Sequence, residues 1–452
     1  MSDGIAGLWR RNWRRVAVLL IAVVVLLLSV RTVAGWWIGR QLGGEIARLQ
    51  KSYGSLNTND MNQWVPPLED RARVMRSAAE LTVVDRTNRS SWVFSGGFSA
   101  VMTCLTGGDC PAGVTDRMRQ FVDQNRLAIY VATRGRTLPR AAWGVHYFRA
   151  EMTRMPIGVV DLNMLLAAAC RVELEDGRVD GAVEAALTGL ASASSMRNEW
   201  SLMQVWRMSA VHQQAGCVRE MLQRAEPSPR TLSDLAAAFA DSRWPDPTRM
   251  WLMGEMRIAN AWFAELERGR RVEYRWASPS SDSAGPINWL LRPVVSGRHL
   301  GDLRAFDRVL QFQALAPWQR DAAHTQSAPS QEELRNTQEW QQSRWPVLKA
   351  LHTTFLTPWL STEIDAGWEF HNVLNAAETS VALRRYRLDH GSYPDALSQL
   401  VPQYLPWVPL DPFTGRPLEY AKRACGFDLH LHRAKDTSRG FGQAQFDWTI
   451  PR

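Results

Sequence analysis

The run CGFDLHLH, Cys425 to His432, holds the densest group of metal-binding side chains in the chain. In an extended backbone Asp428, His430 and His432 share one face, while Phe427, Leu429 and Leu431 share the other. Imidazoles two residues apart on a strand face can reach one zinc or copper ion. The same alternation describes an ordinary strand with an apolar inner face, so both readings stay open. Cysteine offers a second chemistry. Cys104 and Cys110 bracket Leu-Thr-Gly-Gly-Asp, a glycine turn able to bring two sulfurs together in an oxidising compartment. The competing reading is two loop thiols that never meet. Cys170 and Cys217 fall in helical patterns and are expected to pack as small apolar groups. No C-x-x-C pair points to structural zinc. The signatures G-x-S-x-G, H-E-x-x-H and G-x-x-x-x-G-K-[ST] are absent, and no catalytic or cofactor-binding residue is assigned. Glu173 and Glu175 lie in a helical pattern and read as a solvated face.

The elements that must position these groups begin with residues 1–40. Val16 to Val30 is almost wholly apolar, and after Arg31 the apolar character resumes as far as Ile38. A helix needs about 20 residues to cross a bilayer core. Val16 to Ile38 suffices if Arg31 snorkels to the interface. Arg10, Arg11, Arg14 and Arg15 precede the span and predict a cytoplasmic N-terminus. Trp9 and Trp13 then mark the inner aromatic belt, Trp36 and Trp37 the outer one. A cleaved signal peptide and a buried core helix are the alternatives. Anchor and signal alike place residues 41–452 outside the cytoplasm. No second apolar run is long enough to span. The net charge of +8 is mostly Arg spread along the chain. Without a basic stripe interleaved with aromatics, a nucleic-acid partner is not expected. The 21 Trp are read as bulky helix packing rather than as an aromatic ligand site.

Residues 41–345 read as a helical-hairpin domain. The pattern breaks at the polar stretch Leu56 to Pro67 and in a glycine-rich loop from Phe94 to Pro111. From Asp161 the periodicity sharpens. Leu162, Leu165, Leu166, Ala169, Val172 and Leu174 line one helix, and Glu175 to Asp180 turns. Ala182, Val183, Ala185, Ala186, Leu187 and Leu190 line a second, and Trp200 to Val211 a third. Ala allows two helix axes to approach closely. This stretch resembles a tetratricopeptide-type hairpin over about one repeat. Helices over 233–240 and 246–268 continue the theme. Tyr274 to Pro293 is expected to be a loop, followed by a helix around Phe306–Leu315.

Residues 346–452 read as a small α+β module. A helix over Trp368–His390 ends at Gly391, and a Tyr-Pro turn opens a second helix. Asp-Pro-Phe-Thr-Gly, Asp411 to Gly415, is a turn by composition. Strand-like runs follow at 417–422, 426–432 and 445–450. In ALRRYRLDHGSYP, YLPWVPLDPFTGRPLEY and the closing Asp447–Trp448, the chain resembles the globular part of the major pseudopilins of type II secretion systems. As a whole it resembles large membrane-anchored bacterial proteins that pair helical hairpins with such a module. The resemblance implies calcium in the loop before the last strand, at Asp436 and Asp447 with Ser438 nearby.

The expected fold is mainly α: an N-terminal transmembrane helix, a repeat-like helical-hairpin domain and a small C-terminal pseudopilin-like module. The expected function is a non-enzymatic, extracytoplasmic scaffold held by its N-terminal helix and engaging a protein or peptide partner. The alternatives are a secretion-system or pilus-associated component and an extracytoplasmic enzyme or carbohydrate binder. The expected address is the bacterial inner membrane, single-pass, with the bulk of the chain in the periplasm.

Overall fold

A computed structural model describes residues 2–61, 69–84, 101, 104–105, 110–111, 113–143, 145, 158–268, 287–322, 360–432 and 447–451. The described chain is mainly helical, with few strands. The helices are α1 (Ser2–Tyr53), α2 (Arg71–Leu81), α3 (Val114–Gln124), α4 (Arg126–Gly135), α5 (Gly158–Glu175), α6 (Val179–Ser195) and α7 (Leu202–Arg224). After them come α8 (Pro229–Arg243), α9 (Pro247–Glu267), α10 (Ile287–Gln313), α11 (Pro317–Ala322) and α12 (Leu360–His390). The strands are β1 (Glu419–Arg423), β2 (Gly426–His430) and β3 (Asp447–Pro451). Contacts divide the chain into two compact units, each discontinuous in sequence. One comprises Met1–Asn57, Met256–Asp307 and Pro329–Leu356, and the other Thr58–Glu255, Arg308–Ala328 and Thr357–Arg452.

The first unit is built around the second half of α1. This is the one helix among the described residues long and apolar enough to cross a membrane. Nearly every described side chain from Val16 to Trp37 is exposed, including the large apolar ones. The helix then changes character. Leu42, Leu49 and the following Leu56 are buried, and α10 runs alongside in the same direction. Gly35 lies against Pro293, and Gly297 against Ile38. Further on, Arg48 Nη2 pairs with Asp307 Oδ2 at 2.7 Å, and the Tyr53 hydroxyl donates to Asp307 Oδ1 at 2.8 Å. His299 is buried in this unit. Its ring stacks on Phe263 at 4.9 Å, with Nε2 3.1 Å from Asn260 Oδ1 and Nδ1 3.4 Å from Glu267 Oε1. The sequence reading expects a loop up to Pro293, yet α10 starts at Ile287 and carries Pro293 inside it. Pro293 lies beyond the first turn, so it removes one i→i−4 hydrogen bond, a loss the helix bears without ending there.

The second unit packs α5, α6 and α7 together, with α2–α4 on one side and α8 and α12 on the other. The turn between α5 and α6 closes at Gly177, whose φ of 73° suits a residue without Cβ. Ala182, Ala185 and Ala186 are buried and let the two helices lie close. Buried residues fill most of α7 from Arg207 to Leu222, polar ones included, because neighbours surround it. Arg207 is fully buried and donates to Gln204 Oε1, Pro245 O and Ser242 O. Burial pushes its guanidinium down to about 10. Cys170 on α5 and Cys217 on α7 form a disulfide, with their Cα atoms 6.3 Å apart. This corrects the expectation that each packs as a reduced apolar group. Periodicity placed both on buried faces but could not show that those faces meet.

The three strands form an antiparallel sheet in the order β1-β2-β3. Leu429 pairs with Trp448, and Phe427 with Ile450. All four are buried. Gly426 opens β2 with φ 133°, and a Cβ there would collide with the Ile450 carbonyl. The sheet rests against α7 and α12. Arg384 donates to Leu222 O and Pro451 O, and Gln223 Nε2 donates to Thr449 O at 2.9 Å. The second helix expected after the Tyr-Pro turn is a short 3-10 turn, Leu397–Leu400. Gly391 stops α12 with φ 77°, and Asp411 Oδ1 accepts from Phe413 N and Thr414 N to close the Asp-Pro-Phe-Thr-Gly turn.

Candidate functional site

Helices α3 and α4 face α5 and α6 across a groove of about 530 Å³. Val122, Ile129, Val172 and Ala185 give it an apolar lining, one or more from each side. Charges of both signs complete it. Arg119 Nη2 on α3 reaches Asp176 Oδ1 at 2.7 Å, and Arg178 Nη2 reaches Asp176 Oδ2 at 2.8 Å. The hydrogen bond from Arg119 holds the Asp176 carboxyl below its usual range. Exposed pairs of this kind add little stability. Their value to a groove is a set of alternating donors and acceptors beside an apolar surface.

A smaller cavity, about 270 Å³, opens between the start of α2, the segment 138–143, the end of α6 and α8. Local hydrogen bonding assembles it. Asp70 caps α2 by accepting from Ala72 N and also accepts from Ala142 N. Arg71 N donates to Arg140 O at 2.7 Å, tying the two segments side by side. Trp143 is fixed in turn, its N to Glu199 Oε1 and its Nε1 to Ser195 Oγ. Arg71 therefore comes beside α6, donating from Nε to Leu138 O at 2.8 Å and from Nη1 to Ser194 Oγ at 2.5 Å. Arg140, Arg197, Asn198 and Asp241 also line the cavity. Arg197 pairs with Asp241, and Arg140 Nε lies 3.4 Å from Glu69 Oε2. Among the described residues no carboxylate pairs with Arg71, and burial lowers its pKa.

The metal-binding types named from the sequence do not converge. Asp428 is buried and ion-paired with Arg423. His430 is exposed at the end of β2. His432 lies beyond the strand, where its N and Nδ1 meet Asp411 Oδ2 at 2.9 and 3.2 Å. The alternation that aligned the three side chains stops at His430 because the chain leaves the sheet there. Among the described residues, no group of three His, Cys, Asp or Glu side chains is placed to hold a metal. Of the calcium candidates, Asp436 and Ser438 lie outside the described residues. Asp447 opens β3 opposite His430, and its side chain also lies outside them. Cys104 and Cys110 are joined as a disulfide. Glu173 pairs with Arg178, while Glu175 pairs with Arg171 and Arg224.

Two further polar pairs carry no signal in the sequence. Asp246 starts α9, accepting from Arg249 N at 2.7 Å, and its Oδ2 lies 2.9 Å from His371 Nε2 on α12. Although desolvation opposes it, hydrogen bonding from His371 leaves the Asp246 carboxyl below its ordinary value. Ser201 precedes α7 at φ 56° and donates to Glu255 Oε1. Desolvation pushes the Glu255 carboxyl up. Ser201 is 2% exposed and lines neither the groove nor the cavity, so the pair clamps a helix start and offers no nucleophile to solvent. Trp lines neither opening. Buried Trp143, Trp251, Trp262 and Trp448 pack the interior, whereas Trp36, Trp37, Trp244 and Trp407 are exposed. Compared with protein-family models, curated proteins and solved structures, the chain matches none.

Proposed function

We propose that the chain is a membrane-anchored extracytoplasmic scaffold without catalytic activity. Its helical hairpins hold a protein or peptide partner in the groove between α3–α4 and α5–α6. The observation that carries the reading is α1. Val16 to Trp37 rises about 33 Å at 1.5 Å per residue, close to the hydrocarbon thickness of about 30 Å. The apolar side chains over that length are exposed, and the same helix then enters a polar, packed stem at Glu45, Arg48 and Tyr53. A continuous helix transmits position without a flexible joint, so the unit it enters is held near the bilayer surface. Arginines before the span favour a cytoplasmic N-terminus. The Cys104–Cys110 and Cys170–Cys217 disulfides suit an oxidising compartment such as the periplasm. The groove supports a binding role through its apolar lining and paired charges.

A second reading is a secretion or pilus-associated component that uses the C-terminal module for assembly. The layout of α12, the Pro-rich turn and a three-stranded antiparallel sheet favours it. Crosslinking in native membranes followed by affinity capture separates the two. The scaffold reading expects a partner whose recovery falls at least tenfold with Ile129→Asp, which places a charge in the groove. Recovery of pilus or secretion subunits, unaffected by that substitution, selects the second reading. Purified protein that turns over a substrate without a partner rejects both.

A further inference from the structure

The geometry points to the cavity bounded by Arg71, Arg140 and Arg197 as a binding site for a single oxyanion, a carboxylate or a phosphate group. Three guanidinium groups line this space against one carboxylate, Asp241, which is already ion-paired with Arg197. Arg71 is held there by Leu138 O and Ser194 Oγ, both uncharged acceptors. Asp241 attracts the Arg71 guanidinium but is itself ion-paired with Arg197, so Arg71 loses hydration without a counter-charge in direct contact. A bound anion would supply that charge.

Arg suits this role because its planar fork can present two parallel N–H donors to one oxyanion. The Ser194 hydroxyl lies beside the fork. The cavity, at about 270 Å³, suits a small acid or one acidic group and falls below the usual range for drug-sized ligands. The backbone bridge at Arg71–Arg140 and the Trp143 anchors fix the surrounding segments before any ligand arrives. A preformed site spends little binding energy on ordering itself.

The test uses full-length protein in detergent micelles at low ionic strength, titrated calorimetrically with inorganic phosphate and, separately, with succinate. The expected result is saturable one-site binding of at least one of them. Affinity should fall at least tenfold in Arg71→Gln and in Arg197→Gln, and it should weaken as NaCl is raised. Phosphate alone binding identifies a tetrahedral oxyanion, and succinate alone a carboxylate. Arg71 also ties two segments together, so Arg71→Gln is paired with Arg140→Gln, whose guanidinium is more exposed. A fall of at least threefold in Arg140→Gln, with the thermal transition unchanged, supports the site. No saturable binding of either anion overturns the proposal. So does binding that is unchanged in both Arg140→Gln and Arg197→Gln.

Discussion

Asp302 is 3% exposed, and its nearest cation is Arg298, one helical turn back at 3.2 Å. Its Oδ2 has no hydrogen-bond partner among the described residues. Desolvation outweighs the arginine and raises the carboxyl to about 7. The folded state therefore holds this proton more tightly than the unfolded state does. Its contribution to stability is intact near pH 4 and is lost as pH rises through about 7. Asp302→Asn removes the ionisable group. Thermal melts should show the variant matching the parent near pH 4 and exceeding it at pH 8, by about 2–4 kcal/mol. A pH-independent difference would refute this account. Arg207 is the opposite case, a buried cation with three acceptors in place. Arg207→Met leaves Ser242 O and Pro245 O without their donor and should cost about 2–5 kcal/mol in denaturant titrations.

Among the elements, the sheet depends on one backbone position. Gly426→Ala must move either β2 or the Ile450 carbonyl, besides forcing Ala into a φ of 133°. Amide exchange should show β2 and β3 opening faster, while α5 and α6 keep their protection. Equal loss across the second unit would mean that the sheet and the helices unfold together. The Cys170–Cys217 bond closes a long segment running from α5 through α6 to α7. Cys217→Ala should lower stability by about 3–4 kcal/mol through the freedom returned to the unfolded chain. Chemical denaturation with and without reductant measures it, and the variant should be insensitive to reductant at this site.

For the whole molecule, the question is what surrounds the first part of α1. Leu26 is 63% exposed near the middle of the apolar length. Leu26→Arg should cost about 2.5–3.5 kcal/mol of insertion free energy and shift protein from the carbonate-resistant membrane fraction to the soluble one. The parent should remain in the pellet, and a reporter fused at the C-terminus should be active only outside the cytosol. A parent released by carbonate would instead make this a helix that packs on protein. In that case Leu26→Arg would lower the melting temperature rather than membrane retention.

Residue order alone settled the apolar reach of α1, the helical periodicity of α5 and α6, the stop at Gly391 and the Asp411 turn. Each depends on neighbours within a few positions, through hydrogen bonds and side-chain spacing that the local sequence specifies. Tertiary structure decided the rest. Arg71, Arg140, Arg197 and Asp241 come from separate segments, and only the packing of α2, α6 and α8 puts them around one space. Cys170 and Cys217 were legible as buried, but which buried faces meet is a property of helix packing. The Asp428–His430–His432 alignment illustrates the converse. A strict two-residue period holds only while the backbone stays in the sheet, and Asp411, brought in by the turn before β1, drew His432 away from that line.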